Sequence, residues 1–244
     1  MGALAKGSYE AAVERITLSV GRTPVDAIHA RPRGSPLAGV VVSPDIGGIR
    51  PLFDDLCLRL ASHGFSVCAV EPFARVPSDD RAQLDISDRL GRVATLYDEV
   101  QLGDFAEAAD HLEAADGVTS VSIIGFCMGG YYTFKAAATG RFERAVPFYG
   151  MLRTPEAWVG PGHSSPLDLV GDACPTLAVF GEADPWTPAE DIDALRSIWT
   201  GMPDHKVVVY PGADHGFVHD PDRPAHREAD AADAWRRAMA FLLE

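Results

Sequence analysis

A cysteine at position 127 stands in a run that could make it a nucleophile. The run is Val121-Ser122-Ile123-Ile124-Gly125-Phe126-Cys127-Met128-Gly129-Gly130. Four residues of strand type lead into Gly125, and a helical pattern begins near Met128 and continues through Tyr132, Phe134 and Ala138. Gly-x-Cys-x-Gly at a strand-to-helix turn is the sulfur version of the nucleophile elbow Gly-x-Ser-x-Gly. The turn forces its central residue into a strained conformation. It also brings the flanking chain against neighbouring backbone, so side chains at 125 and 129 would collide. A helix N-terminus beneath the sulfur favours the thiolate. The other cysteines lack this setting: Cys57 lies in a helical pattern, Cys68 within a strand and Cys174 before Pro175. They read as packing residues.

A nucleophilic thiol needs a base, and the base needs a group that fixes its tautomer. Asp184 comes 57 residues after Cys127, just past the strand pattern Thr176–Phe180, in Gly181-Glu182-Ala183-Asp184-Pro185-Trp186-Thr187-Pro188. His215 comes 31 residues later, past the strand pattern Lys206–Tyr210, in Pro211-Gly212-Ala213-Asp214-His215-Gly216-Phe217. Nucleophile, acid, histidine is the chain order that such an elbow requires. Glu182 is the rival acid, set too close to its strand to reach His215. The other seven histidines read as surface or structural groups. His215, Asp214, His219, Asp220 and Asp222 also resemble a metal cluster. However, the i, i+4 histidine pair sits on no recognisable helix and no second ligand pair supports it. Neither a metal nor any other cofactor is expected.

These side chains must be held by a scaffold, and the hydrophobic pattern describes one. Gly39–Ser43, Ser66–Val70, Val121–Ile124, Ala145–Tyr149, Thr176–Phe180 and Lys206–Tyr210 read as short strands, most of them ending in Gly, Pro or Asp. Thr17–Val20 and Pro24–Ala30 suggest an initial hairpin around Gly21. Between the strands, Leu102, Phe105, Ala106, Ala109 and Leu112 form one helical stripe. Ala231, Trp235, Ala238 and Leu242 form another after Pro224, and Leu52, Phe53, Leu56 and Leu60 a third between Pro51 and Gly64. Continuous apolar strands alternating with amphipathic helices imply one α/β domain over residues 1–244, with a mainly parallel sheet covered on both faces. Two stretches break the rhythm. Ala74–Asp98 is polar and charged and reads as one or two solvated helices. Met151–Pro175 is a long Gly/Pro/Ser-rich connection of the kind that often forms a lid. Both follow strands, so both could border a cleft at the strands' carboxyl ends.

The composition narrows the partners. Twenty-one Lys and Arg against 35 Asp and Glu leave a net charge of −14, with 47% hydrophobic and 23% charged residues. That is the make-up of a globular chain. It argues against nucleic acid, whose phosphates draw on Lys and Arg, and against an anionic membrane surface. No apolar run reaches the roughly 20 residues of a spanning helix. Met1–Glu10 has no cationic segment followed by an apolar core, so no signal peptide is expected. Four cysteines without metal or disulfide spacing fit a reducing cytoplasm. A small-molecule substrate and a monomer or small homo-oligomer complete the expectation.

With these residues the chain resembles the dienelactone hydrolase family of α/β-hydrolases. The resemblance covers nearly the whole chain. It rests on Gly125-Phe126-Cys127-Met128-Gly129-Gly130, on Asp184 after its strand, on Ala213-Asp214-His215-Gly216-Phe217, and on Val40–Asp45 followed by Ile46-Gly47-Gly48. It implies an α/β-hydrolase fold without a large cap, and a Cys-His-Asp triad opening a small ester or lactone through an acyl-thioester. By position, Cys127 is the nucleophile, His215 the base and Asp184 its orienter, with the backbone N–H groups of Met128 and Ile46 as the oxyanion hole. The family typically has glutamate where this chain has Asp45, and that carboxylate interacts with the resting thiol. Its dienelactone-cleaving members grip the substrate carboxylate with two arginines. One lies four residues after the histidine, where this chain has His219. The other lies in the polar segment, where Arg89 or Arg81 stands. The reaction type is therefore better supported than dienelactone itself. The rival readings are a short-chain carboxylesterase or thioesterase, or a non-catalytic protein of the same fold that binds a ligand or senses oxidation through Cys127.

Overall fold

A computed structural model describes residues 4–244, so Met1, Gly2 and Ala3 of the N-terminal stretch lie outside the described residues. Eight strands form one sheet: β1 (Ala11–Val20), β2 (Thr23–Pro32), β3 (Ala38–Ser43), β4 (Phe65–Val70), β5 (Val121–Phe126), β6 (Ala145–Phe148), β7 (Leu177–Gly181) and β8 (Lys206–Tyr210). Their spatial order is β1-β2-β4-β3-β5-β6-β7-β8. The pairings β1–β2 and β2–β4 are antiparallel and the rest parallel. The parallel strands follow the apolar runs read from the sequence to within about two residues. The hairpin is longer than its pattern suggested, because its outer halves alternate exposed and covered residues.

Alternation along each strand divides the core between two faces. Val40, Val42 and Ile124 pack with Phe53, Leu56 and Leu60 of α1 (Pro51–Ser62) and with Trp235 and Ala238 of the C-terminal helix. Val41 and Ile123, one residue out of phase, pack with Phe105, Ala109 and Leu112 on the other face. These strands are buried on both sides, which is why they read as continuous apolar runs rather than alternating ones.

The polar segment after β4 holds two short helices, α2 (Ser78–Arg81) and α3 (Ile86–Arg92). Asp85 and Asp88 cap α3 reciprocally. Next come α4 (Asp98–Asp116), which carries the Phe105 stripe, and α5 (Met128–Ala137), which follows the elbow. The connection after β6 contains only single helical turns, yet it buries Trp158 and Val170. The sequence pattern did not reveal α6 (Ala189–Ile198). Its buried face is only Asp191, Ile192 and Leu195, too short a stripe to register. The last helix, α7 (Glu228–Leu242), begins after Pro224, as its stripe suggested. Among the described residues no helix is long and apolar enough to cross a membrane.

Candidate active site

The loops after β3, β5, β7 and β8 meet at the carboxyl ends of the parallel strands. Cys127 is the residue between β5 and α5, with φ 57° and ψ −119°. This is backbone that a non-glycine residue adopts only when its surroundings insist. Those surroundings are visible atom by atom. A Cβ on Gly125 would lie 2.3 Å from the Gly129 carbonyl oxygen, and one on Gly129 would lie 2.0 Å from the Ser43 carbonyl oxygen. The backbone N–H of Cys127 donates to the Phe148 carbonyl at 3.1 Å. The elbow is thus wedged between β3 and β6. Cys127 is partly accessible, whereas Cys57 and Cys68 are buried. Burial pushes the Cys57 thiol up and holds Cys68 at about 12, and Cys174 is also pushed up by burial to about 12. Burial thus disfavours the thiolate at all three.

Asp184 and His215 arrive on neighbouring loops that are stitched together. The Ala183 N–H donates to the Ala213 carbonyl at 2.9 Å, and a Cβ on Gly181 would lie 2.3 Å from that same oxygen. The Asp184 carboxylate is buried. Its Oδ1 accepts the Trp186 N–H at 2.8 Å and its Oδ2 accepts from His215 Nδ1 at 2.8 Å. Holding Nδ1–H on the acid leaves Nε2 for the sulfur. Nε2 is buried and has no hydrogen-bond partner at rest. Burial alone would lower the proton affinity of this imidazole. The Cys127 sulfur and then the Asp184 carboxylate outweigh it, and the His215 pKa rises to about 10. The imidazole therefore responds to the sulfur, and such contacts commonly tighten on substrate. The rival acid Glu182 turns instead to the Gly212 N–H at 2.8 Å.

The two backbone donors expected for an oxyanion are both unengaged. The Met128 N–H opens α5, where no intrahelical acceptor exists. The Ile46 N–H follows β3, and neither group makes a backbone hydrogen bond among the described residues.

Asp45 sits in the same loop as Ile46, but its oxygens are taken. Oδ1 accepts the Gly47 N–H at 2.8 Å and Arg50 Nη1 at 2.6 Å, and Oδ2 accepts Arg50 Nη2 and His219 Nε2, both at 2.8 Å. Burial would raise the pKa of this acid, but His219 and Arg50 hold it well below the usual carboxylate range. His219 is 2% exposed, and its Nδ1 accepts the Tyr149 hydroxyl. Asp45 is thus engaged by Arg50 and His219 rather than by the thiol, and His219 is sealed from the cleft. Arg89 lines a cleft of about 530 Å³ together with Ile46, Asp45 and Arg50. Its Nη1 is buried without a hydrogen-bond partner, 3.7 Å from Glu71 Oε1. Arg81 stands one groove away, ion-paired to Asp26, and accepts Arg89 Nη2 on its carbonyl oxygen at 3.2 Å. Sequence reasoning missed Arg50, Tyr149 and Trp186. Arg50, five residues from Asp45, carried the one available signal, a cation near an acid in a glycine turn.

A mostly parallel sheet with an elbow after β5, an acid after β7 and a histidine after β8 defines an α/β-hydrolase. The dienelactone hydrolase family profile matches residues 25–244. A protein of Escherichia coli O157:H7 named "Putative carboxymethylenebutenolidase" is 32% identical over 225 residues, covering 89% of this chain and 82% of its own. A Bradyrhizobium protein named "Probable 2-oxo-3-(5-oxofuran-2-ylidene)propanoate lactonase" is 31% identical, covering 84% and 83%. The crystal structure of a "Putative Dienelactone Hydrolase" from Klebsiella pneumoniae superposes with a TM-score of 0.86 at 28% identity, covering 96% of this chain and 99% of that one. The chain belongs to the dienelactone hydrolase family, and is with it a carboxymethylenebutenolidase-like hydrolase.

Proposed function

We propose that the protein is a single-domain, cysteine-dependent hydrolase that cleaves a small ester or lactone through an acyl-thioester on Cys127. The observation that carries this reading is the Asp184–His215 pair, 2.8 Å apart, whose proton affinity is raised first of all by the sulfur of a strained elbow cysteine. The thiolate Sγ attacks the carbonyl carbon. A C–S bond forms and the carbonyl electrons move onto oxygen, where the Met128 and Ile46 N–H groups receive them. Losing one such donor can cost roughly 3 kcal/mol of barrier stabilisation. As the adduct collapses the C–O bond breaks, and the His215 imidazolium gives its Nε2 proton to the leaving oxygen. His215 then takes a proton from water, which attacks the thioester. The C–S bond breaks, the acid departs and the thiolate returns.

Thiolate is a good leaving group, so an amide adduct tends to revert and expel sulfur. Esters, enol lactones and thioesters carry better leaving groups and go forward. Arg89 borders the Ile46 cleft with Arg81 behind it, but both are already ion-paired, Arg89 to Glu71 and Arg81 to Asp26, so neither brings an unpaired charge to the substrate. Four free thiols among the described residues suit a reducing cytoplasm. A monomer or small homo-oligomer suffices, because one chain supplies the whole triad.

The test is an ester and lactone panel with wild type and Cys127→Ala, plus rapid-quench mass spectrometry. Wild type is expected to turn over esters or lactones, to hydrolyse amides poorly and to carry the acyl mass on Cys127. Cys127→Ala is expected to lose on the order of 10⁶-fold in kcat, by analogy with loss of a serine nucleophile. Full esterase activity in Cys127→Ala would refute the mechanism.

A further inference from the structure

A second groove, lined by His215, has a volume of about 620 Å³. Trp186 walls it. This indole is 45% exposed, although one face stacks on the buried Trp158 at 6.4 Å between ring centroids. It also lies 6.4 Å from the His215 ring. Asp184 fixes the base of Trp186 by accepting its backbone N–H, so the indole is placed by the triad itself.

Arg223 lines this groove too, and stands between it and the Ile46 cleft, which it also lines. In a chain with 35 acids and 21 Lys and Arg, most cations are ion-paired, and Lys6, Arg22, Arg92 and Arg223 are the exceptions among the described residues. Arg223 is half-buried, yet it has no ion pair within 4.0 Å among the described residues. Its guanidinium rests on Gly216, where a Cβ would lie 2.8 Å from Cζ and Nη1. Gly216 also has φ 79°, so the residue after the histidine is doubly fitted to glycine. Arg227 backs the groove but is engaged, with Nε on Asp230 at 2.7 Å and Nη1 on the Pro211 carbonyl at 2.7 Å. The Asp214 carboxylate, the groove's own acid, accepts the His215 N–H at 2.6 Å. Of the two arginines that line the groove, Arg223 is the one without a carboxylate partner among the described residues.

The direction of the chemistry says which half of the substrate lies here. The oxyanion donors at Ile46 and Met128 fix the carbonyl oxygen. The general acid must touch the leaving oxygen, so the leaving group extends past His215. His215 and Trp186 line this groove and not the Ile46 cleft, so of the two this groove is the one suited to the leaving group. A flat wall and an unpaired guanidinium lining one groove suit a planar anion, since aromatic faces stack on indole and a guanidinium pairs with carboxylate bidentately.

We infer that the groove between Trp186 and Arg223 is a leaving-group subsite for an aromatic carboxylate, so that the preferred esters are acyl derivatives of a hydroxyaryl acid. This rests on the hydrolase reading above. Three esters test it: 3-acetoxybenzoate, phenyl acetate, and monophenyl succinate, which carries its charge on the acyl side. In wild type, KM for 3-acetoxybenzoate is expected to be about tenfold below that for phenyl acetate, in keeping with a charge-assisted pair of ~1.4 kcal/mol. Arg223→Gln is expected to reduce that ratio below twofold, and Arg223→Lys to keep part of it. Trp186→Ala should raise KM for 3-acetoxybenzoate about tenfold, and Trp186→Phe should restore most of the loss. A wild-type preference for monophenyl succinate over 3-acetoxybenzoate, or an unchanged ratio in Arg223→Gln, would overturn the assignment. Calorimetric binding of 3-hydroxybenzoate separates this inference from the hydrolytic one. Cys127→Ala should still bind it, and binding should weaken in Arg223→Gln. Binding without turnover would sink the hydrolase and spare the subsite, and turnover with no Arg223-dependent binding would do the reverse.

Discussion

His215 and His219 lie four residues apart on one loop, and each meets an aspartate at 2.8 Å. Their proton affinities nevertheless move in opposite directions. Both are lowered by burial. For His215 the Cys127 sulfur and Asp184 more than compensate, and its pKa rises to about 10. For His219 burial wins, because Asp45 already serves Arg50 and two cations, Arg50 and Arg223, work against a third charge. Tyr149 touches both: its ring lies edge-on to His215 at 5.2 Å, and its hydroxyl donates to His219 Nδ1. A His–Asp pair is thus not a function in itself. What else surrounds the ring decides which way its proton affinity moves.

The widest way to test this contrast is to remove each ring in turn. His215→Asn is expected to cost on the order of 10⁶ in kcat, as losing the base of a triad does. His219→Asn should leave kcat within about tenfold of wild type, because its ring touches no reacting atom, and should appear mainly as a lower Tm. Steady-state kinetics and thermal melts on the two variants check the split. Equal losses of kcat would make the two pairs functionally alike and end the distinction.

The next effect is one of stability. Asp45 is buried and depends on Arg50, whose guanidinium meets both its oxygens. Removing one partner of a buried pair leaves an uncompensated charge, which costs about 3–5 kcal/mol. Arg50 is about one-third exposed, so Arg50→Met should fall at or below the lower end of that range in urea unfolding. Protonation adds a pH signature. The unfolded His219 takes up a proton near 6.5 and the native ring only at lower pH, so its contribution to stability is lost as pH falls below 6.5. Asp45, lowered from 3.8, withdraws its contribution only under more acidic conditions. Acid unfolding that begins only below pH 4 would rule out His219 as a buried neutral ring.

The two regions also differ in how legible they were. The residues of the proposed triad stood out in the sequence because each sits next to something periodic: Cys127 between two glycines at a strand end, Asp184 and His215 just beyond β7 and β8. The parallel strands were equally plain, since burial on both faces leaves unbroken Val and Ile. The Asp45–His219–Tyr149 network was not, because it joins residues 174 positions apart by side-chain geometry alone. Nothing in a lone arginine at position 50 says which acid it will take. Trp186 was hidden for another reason. An exposed aromatic has no periodic partner, and its place beside His215 follows from the path of the loop after β7. Helix α6 escaped because its packing against Phe180 needs only two apolar side chains.

The finest test concerns one proton. If sulfur is what raises His215, Cys127→Ala should lower the imidazole pKa from about 10 toward the ordinary histidine range, with the Asp184 contact still in place. The residual elevation measures Asp184, and Asp184→Asn should remove it. NMR titration of the His215 ring reads both steps. In wild type the ring stays protonated through neutral pH, so the His215-dependent fall in kcat/KM should come near pH 10, where the general acid is lost. A ring that titrates alike in wild type and Cys127→Ala would mean that the sulfur and the imidazole do not share their chemistry, and His215 would then be as structural as His219.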